Sequence, residues 1–331
     1  MRRTFKLLSL VLVASLTACD IATRYHSDTL YCFDTTVIVE SKEYHGLMYN
    51  VVVQEQTCQI IKDVDAISDA YKKREVTNIF DLNQTNDKLE INEDLYWLLH
   101  ECKELERIAP NFNPLIGSLS NKWKKALEEN TVLSNDVIEE ELTKINNSEL
   151  VLSMTGDNTY FAQRKGDALI DVGAIAKGFA LDQCQVFLRK HSEPDYVYMI
   201  NAGNSSVLLG MNRKKNNYKI KLKDLSEDTY LYLKDSYVST SGISEQKTTI
   251  DGVTYSHIIN PKTGSAVSLY DSVVVVANGD YGNGALGDVL ATSLMMSDLE
   301  EIKQAEEENG VNVIVIKDDK ILYKSESIEL H

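Results

Sequence analysis

The chain has 331 residues, 43% of them hydrophobic, and a formal charge of −16. That length and apolar content suit one large α/β domain or two interlocked ones. The acidity excludes general attraction to nucleic acid or to an anionic membrane.

Residues 1–19 read MRRTFKLLSLVLVASLTAC, with a basic start at Arg2, Arg3 and Lys6, an apolar run from Leu7, then small residues. The pattern is that of a secretory signal, too short for a durable membrane span. Leu16-Thr17-Ala18-Cys19 resembles a bacterial lipobox. It implies a signal peptide over 1–18, a lipid on Cys19, a polar tether to residue 28, and a domain from 29 to 331. The expected protein is exported and held to the outer face of the cell membrane by lipid alone. Loss of the three signal cations takes the charge from −16 to −19.

A strand is predicted over 29–40. Apolar residues at helical spacing predict helices over 55–71 and 95–108, with a polar stretch, 72–91, between them. A Pro-bounded loop from 109 runs into another helix, and 134–146 begins on a good N-cap. YFAQRKGDALID (160–171) reads as a hairpin about Lys165-Gly166, followed by a helix to about 190. DYVYMINAGNSSVLLG is strand, glycine turn, strand, and YKIKLKD, TYLYLKD and SYVSTSG are short strands. Asp251-Gly252 suits the type I′ turn of a hairpin in TTIDGVTYSHII. DSVVVVAN is a buried strand, 284–297 a helix, and VNVIVIKDDKILYK a closing hairpin. Helices in the first half and antiparallel strands in the second give an α+β fold without a convincing linker. Cys32, Cys58, Cys102 and Cys184 are scattered, which argues against a zinc site or a disulfide framework.

Four stretches carry chemistry. IDVGAIAKGFALDQ (170–183) sets Asp171, Gly173, Lys177 and Gly178 at a strand-to-helix junction. A lysine in the first turn adds charge where a helix N-terminus already attracts phosphate. GNGALG (282–287) has the letters of the dinucleotide fingerprint. Asn278 to Tyr281 intervene after the strand, however, and the next strand ends too late for the ribose-binding acid. Asp288 and Thr292 stand four apart on one helix face, as hard oxygen donors suited to Mg²⁺, or as a cap and a core-edge threonine. His257, in the turn SHIINPKTG, is either a general base or a histidine hydrogen-bonded at a hairpin end.

IDVGAIAKGFALDQ, INAGNSSVLLG, VSTSG, HIINPKTG and GALGDVLATSLMMSD together, in this order, resemble the FAD:protein FMN transferase (ApbE) family. FDTTV near 33, ISDAYKK near 67 and FNPLIGSLSNKW near 112 match more loosely. The resemblance implies a single ApbE-like (T-fold-like) domain that binds FAD. With Mg²⁺, such a protein moves FMN from FAD onto a Thr or Ser hydroxyl of an acceptor protein and releases AMP. It carries FAD contacts onto Asp171, Lys177 and Ile259, metal ligation onto the Ala174 carbonyl, Asp288 and Thr292, and general-base work onto His257. Phe33, Tyr71 and the Asn111-Phe112-Asn113 turn are carried over as lining the adenine and flavin pockets. The chain departs from the family wording at Gly203-Asn204-Ser205, where a Gly-Gly pair and an acid are usual. A serine also stands in FNPLIGSLSNKW where a proline is common. Two rival readings use the same residues: a Mg²⁺-dependent FAD pyrophosphatase, with water as acceptor, and a non-catalytic FAD-binding lipoprotein.

Overall fold

A computed structural model describes residues 24–43, 49–192, 196–210, 217–244, 247–266 and 268–331. Residues 1–23, with the expected signal sequence and Cys19, lie outside them. The chain opens as β1 (Arg24–Cys32), β2 (Thr35–Glu43), α1 (Tyr49–Ser68), α2 (Ile79–Gln84), β3 (Leu89–Ile91) and α3 (Glu93–Ile108). It continues as α4 (Gly117–Glu128), α5 (Asn135–Asn146), β4 (Glu149–Met154), β5 (Tyr160–Lys165) and α6 (Ala176–His191). Then come β6 (Val197–Ala202), β7 (Ser206–Leu209), β8 (Tyr218–Lys221), β9 (Tyr230–Leu233), β10 (Ser236–Gly242), β11 (Lys247–Ile250) and β12 (Val253–Ser256). The chain closes with β13 (Ser272–Asn278), α7 (Asn283–Leu294), α8 (Leu299–Asn309), β14 (Asn312–Lys317) and β15 (Lys320–Lys324).

Eight strands form one sheet in the order β1-β2-β6-β7-β10-β13-β14-β15, antiparallel throughout. The unbroken apolar run of β13 follows from its central place, because a strand covered on both faces needs no polar side. Val273, Val275 and Ala277 point into the main core, which is built with α3, α4, α6, α7 and α8. Val274 and Val276 point to the opposite face, which Leu222, Leu231 and Ile328 cover. A second core on the helical side packs α1 and α6 over β2 and β6.

Two sequence expectations change, and two unforeseen helices appear. The strand expected over 29–40 is a hairpin that turns at Phe33-Asp34, with φ of 54° and 53°. A type I′ turn needs positive φ at both central residues, and neither residue announces it as glycine would. Phe33 is held there by its N–H, which donates to Asp65 Oδ1 at 2.6 Å. The hairpin expected about Lys165-Gly166 is also different. β5 pairs with β4 and β3, and the residues after Gly166 leave the sheet. The first of these helices is α8, for which Asp298 and Glu301 form a capping box. Similarly, α2 in the polar stretch begins on the Asn78–Asp81 capping box.

Candidate active site

The 170–178 segment enters α6 without a side-chain cap on its N-terminus. Asp171 Oδ1 accepts the Gly173 N–H at 2.8 Å, a local turn that bends the chain into the helix. The Asp171 N–H donates to the Pro114 carbonyl at 2.8 Å, which lays the 113–117 loop alongside. A helix leaves its first amides and their usual carbonyl partners to be satisfied from outside. The Gly178 N–H, four residues past Ala174, donates to Asp288 Oδ2 at 2.7 Å. Among the described residues, no amide donates to the Ala174 carbonyl. It is therefore an open oxygen acceptor, four residues before the amide that grips Asp288.

Asp288 comes from α7, nine of whose twelve residues are buried. A Cβ on Gly178 would lie 2.1 Å from the Gly284 carbonyl, so the two glycines set how closely α6 and α7 approach. Gly178, at the junction the sequence marked, serves helix packing. The GNGALG glycines meet a protein anion instead of a dinucleotide. Asp182 on α6 accepts the N–H groups of Gly282 (3.2 Å), Gly284 (2.9 Å) and Ala285 (2.8 Å). Its carboxylate thus occupies the N-terminus of α7. Burial pushes the Asp182 carboxyl up to about 7, and these amides pull against it.

Asp288 is only 7% exposed. Burial pushes its carboxyl upward, opposed first by the Lys177 charge, then by the Ser239 and Ser206 hydroxyls and the Gly178 amide. One turn on, Thr292 Oγ1 lies 2.9 Å from Ser241 Oγ and 3.1 Å from the Asp288 carbonyl. Among the described residues, no cluster of three or more His, Cys, Asp or Glu is arranged for a metal. A cation here would rely on one carboxylate, one hydroxyl and one carbonyl. That hard oxygen set suits Mg²⁺, which keeps several waters.

Lys177 links this centre to a cleft of about 240 Å³ that it lines with Phe33, Tyr71, Lys124 and Asp171. Tyr71 is 55% exposed, with the Lys124 ammonium over its ring, 5.4 Å from the ring centre. Burial, then the charges of Asp171, Asp34 and Asp69, push its hydroxyl pKa up. Arg74 braces the rim, 2.7 Å from Asp69 and 3.6 Å from Asp65.

Other predicted residues stand elsewhere. Asn111 is buried and holds the C-terminal end of α7. Its N–H donates to Ser293 Oγ at 3.0 Å, and its Nδ2 to the Ser293 carbonyl and Ser297 Oγ. Phe112 belongs to the main core. Asn113 Oδ1 accepts the Leu115 N–H at 2.7 Å, and the residue lines a different hollow, beside Lys103 and Leu150. Ile259 is 8% exposed and packs in the core, so neither it nor His257 lines the Tyr71 cleft. His257 is exposed just beyond β12. Its turn is held by Trp123, which stacks on Tyr255 at 5.6 Å and donates Nε1–H to the Gly264 carbonyl at 2.8 Å. Sequence reasoning missed Asp182, Trp123, Ser206 and Ser239. Only Asp182 carried a signal, standing four residues after Gly178 on the helix side that meets α7.

A model of the ApbE family matches residues 30–315. The FAD:protein FMN transferase of Vibrio cholerae is 23% identical over 290 residues, which cover 85% of this chain and 84% of that one. Its counterpart in Haemophilus influenzae is 23% identical over 315 residues, covering 92% and 86%. Among solved structures, the ApbE protein of Thermotoga maritima superposes with a TM-score of 0.76 at 24% identity, covering 92% of this chain and 98% of that one. The flavin transferase ApbE of Vibrio cholerae gives 0.73 at 21% identity, with the same coverage. The fold is theirs, and with a family match that runs from the first hairpin to β14, the chain belongs to the ApbE family.

Proposed function

We propose that the protein transfers FMN from FAD to a Thr or Ser hydroxyl of an acceptor protein and releases AMP. The observation that carries this reading is the junction of α6 and α7. There the Gly178 amide holds Asp288, and among the described residues no amide pairs with the Ala174 carbonyl. Lys177 spans from this centre to a cleft with an exposed aromatic ring. Two binding demands of FAD, charge neutralisation at the pyrophosphate and a face for a ring, meet within a few residues.

The transfer is a phosphoryl displacement, governed by positioning and charge neutralisation. The acceptor oxygen forms a bond to the FMN phosphorus, the bridging P–O bond breaks, and AMP takes the electron pair. His257, exposed and with its turn pinned by Trp123, takes the proton from the attacking hydroxyl. Lys177 balances pyrophosphate charge, and Tyr71 offers its face to a ring of the substrate. Ala174, Asp288 and Thr292 would hold Mg²⁺, which when bound neutralises charge on the phosphate oxygens.

The test is to incubate the soluble chain with FAD, Mg²⁺ and a flavin-accepting domain and weigh the products. An acceptor heavier by one FMN supports transfer. Free FMN and AMP would mean hydrolysis, and unchanged FAD a carrier. Export and lipid anchoring through Cys19 complete the proposal, supported by the sequence of residues 1–19. Cys19→Ala should leave the protein outside the membrane fraction, and a variant that still fractionates with membranes would overturn the anchor.

A further inference from the structure

The Asp288 carboxylate is buried, yet among the described residues its hydrogen-bonding partners are three uncharged donors from three separate elements. Gly178 N–H of α6 reaches Oδ2 at 2.7 Å. Ser239 Oγ of β10 reaches Oδ1 at 2.6 Å. Ser206 Oγ of β7 lies 2.8 Å from both oxygens. A carboxyl torsion is otherwise broad and roughly two-fold. Donors arriving from α6, β7 and β10 fix its plane. A carboxylate offers about four lone-pair sites. Three donor hydrogens leave room for one more partner, and a buried negative charge favours a cation there.

The strand is built to meet the helix at this point. Residues two apart on a strand are about 6.6 Å apart on one face, and residues four apart on a helix about 6.0 Å. Ser239 and Ser241 on β10 therefore match Asp288 and Thr292 on α7, hydroxyl to carboxylate and hydroxyl to hydroxyl. The missing side chain of Gly287 permits the fit, since a Cβ there would lie 2.9 Å from Ser239 Oγ.

We propose that Ser206 and Ser239 are positioning residues that aim the Asp288 carboxylate at a divalent cation. The inference rests on the metal reading above and assigns work to two residues that reading does not use. Each serine acts through Asp288 and touches neither substrate nor reacting atoms.

The experiment measures Mn²⁺ binding to the full soluble chain without FAD, by electron paramagnetic resonance, for the parent, Ser206→Ala, Ser239→Ala and Ser239→Thr. FAD affinity and melting temperature are recorded beside it. Loss of an outer hydrogen bond to a metal-binding carboxylate typically costs about 10- to 100-fold in metal affinity. The alanine variants should weaken Mn²⁺ by that amount with FAD affinity unchanged. Ser239→Thr, which keeps the hydroxyl, should stay close to the parent. A parent that binds Mn²⁺ while both alanine variants bind it equally well or more tightly overturns the positioning role alone. A parent that binds no Mn²⁺ overturns the metal reading and this inference with it. If an alanine variant fails to fold, the other alanine variant and the threonine decide.

Discussion

Gly178→Ala tests whether the contact between α6 and α7 sets the geometry of the site. The added Cβ would lie 2.1 Å from the Gly284 carbonyl oxygen, 2.5 Å from its carbonyl carbon and 2.8 Å from the Ala285 nitrogen. All three are backbone atoms, so no rotamer change relieves the clash. Ordinary contact begins near 3.4 Å, which requires the first turn of α7 to move by about 1.3 Å. Overpacking of this kind costs about 1–3 kcal/mol, against the gain of up to about 1 kcal/mol that alanine brings a helix over glycine. The clash wins, because α7 is buried along its length and cannot shift alone. At about 2–4 °C per kcal/mol, the melting temperature should fall by several degrees. The functional loss should be larger, since a displacement near 1 Å at a reacting centre can cost about 10²-fold in rate. Gly173→Ala is the control. Its Cβ would meet only Asp171 Oδ1, at 3.1 Å, and a flexible side chain can yield. Scanning calorimetry and transfer rate against Mg²⁺ concentration read both effects. If Gly178→Ala melts with the parent and needs no more Mg²⁺, the close glycine contact does not set the site.

Asp288→Asn should need much more Mg²⁺ for the same rate at saturating FAD, with Thr292→Val showing a milder form. Unchanged Mg²⁺ dependence would return Asp288 to a purely structural role. His257→Ala should lower the transfer rate by about 10²- to 10⁴-fold while leaving FAD affinity nearly intact. Equal losses of rate and affinity would make it a binding or folding residue. Asp182 gives a pH signature. Its carboxyl is raised in the folded state to about 7, so the stability it contributes is full below the ordinary carboxylate range near 4 and is lost as pH rises to about 7. In urea titrations at pH 5 and pH 8, Asp182→Asn should lose less stability over that interval than the parent, and an equal loss would refute the assignment.

The residues of the site were more legible in the sequence than the contacts that hold them. Asp288 and Thr292 are four apart on a helix, and that spacing survives any tertiary packing. Lys177 in the first turn of α6 is likewise a local fact. What could not be read locally is which groups these elements face. Asn111 sits in a Pro-bounded turn that suggests exposure, but it is buried against Ser293 and Ser297, about 180 residues further on. Ser206 and Ser239 read as ordinary strand residues, because no local pattern says that β7 and β10 lie under the one buried carboxylate of α7. The turn at Phe33-Asp34 was hidden for a related reason. Its left-handed residues are held by Asp65 from α1, a tertiary bond that stands in for the glycine a local rule would ask for.

The glycine run 282–287 shows how one set of letters can serve a different ligand. In a dinucleotide fold, glycine amides at a helix N-terminus are aimed at a phosphate. Here the same amides are taken by Asp182, and Gln185 Nε2 and Arg189 Nη2 bind the Gly279 carbonyl just before them. Taken by the Asp182 carboxyl of α6, these amides are not free for a phosphate at that helix end. In the transfer proposed above, the pyrophosphate finds its positive partner elsewhere, at Lys177, which stands at the opposite end of α6 from Arg189 and lines the nearby cleft. The two ends of α6 thus divide the labour. Its later turns fix the start of α7, its first turn lines the cleft, and Gly178 joins the two by bonding Asp288. A helix so tethered turns the spacing between Lys177 and Asp288 into a rigid quantity, as charge neutralisation on a transferring phosphoryl group requires.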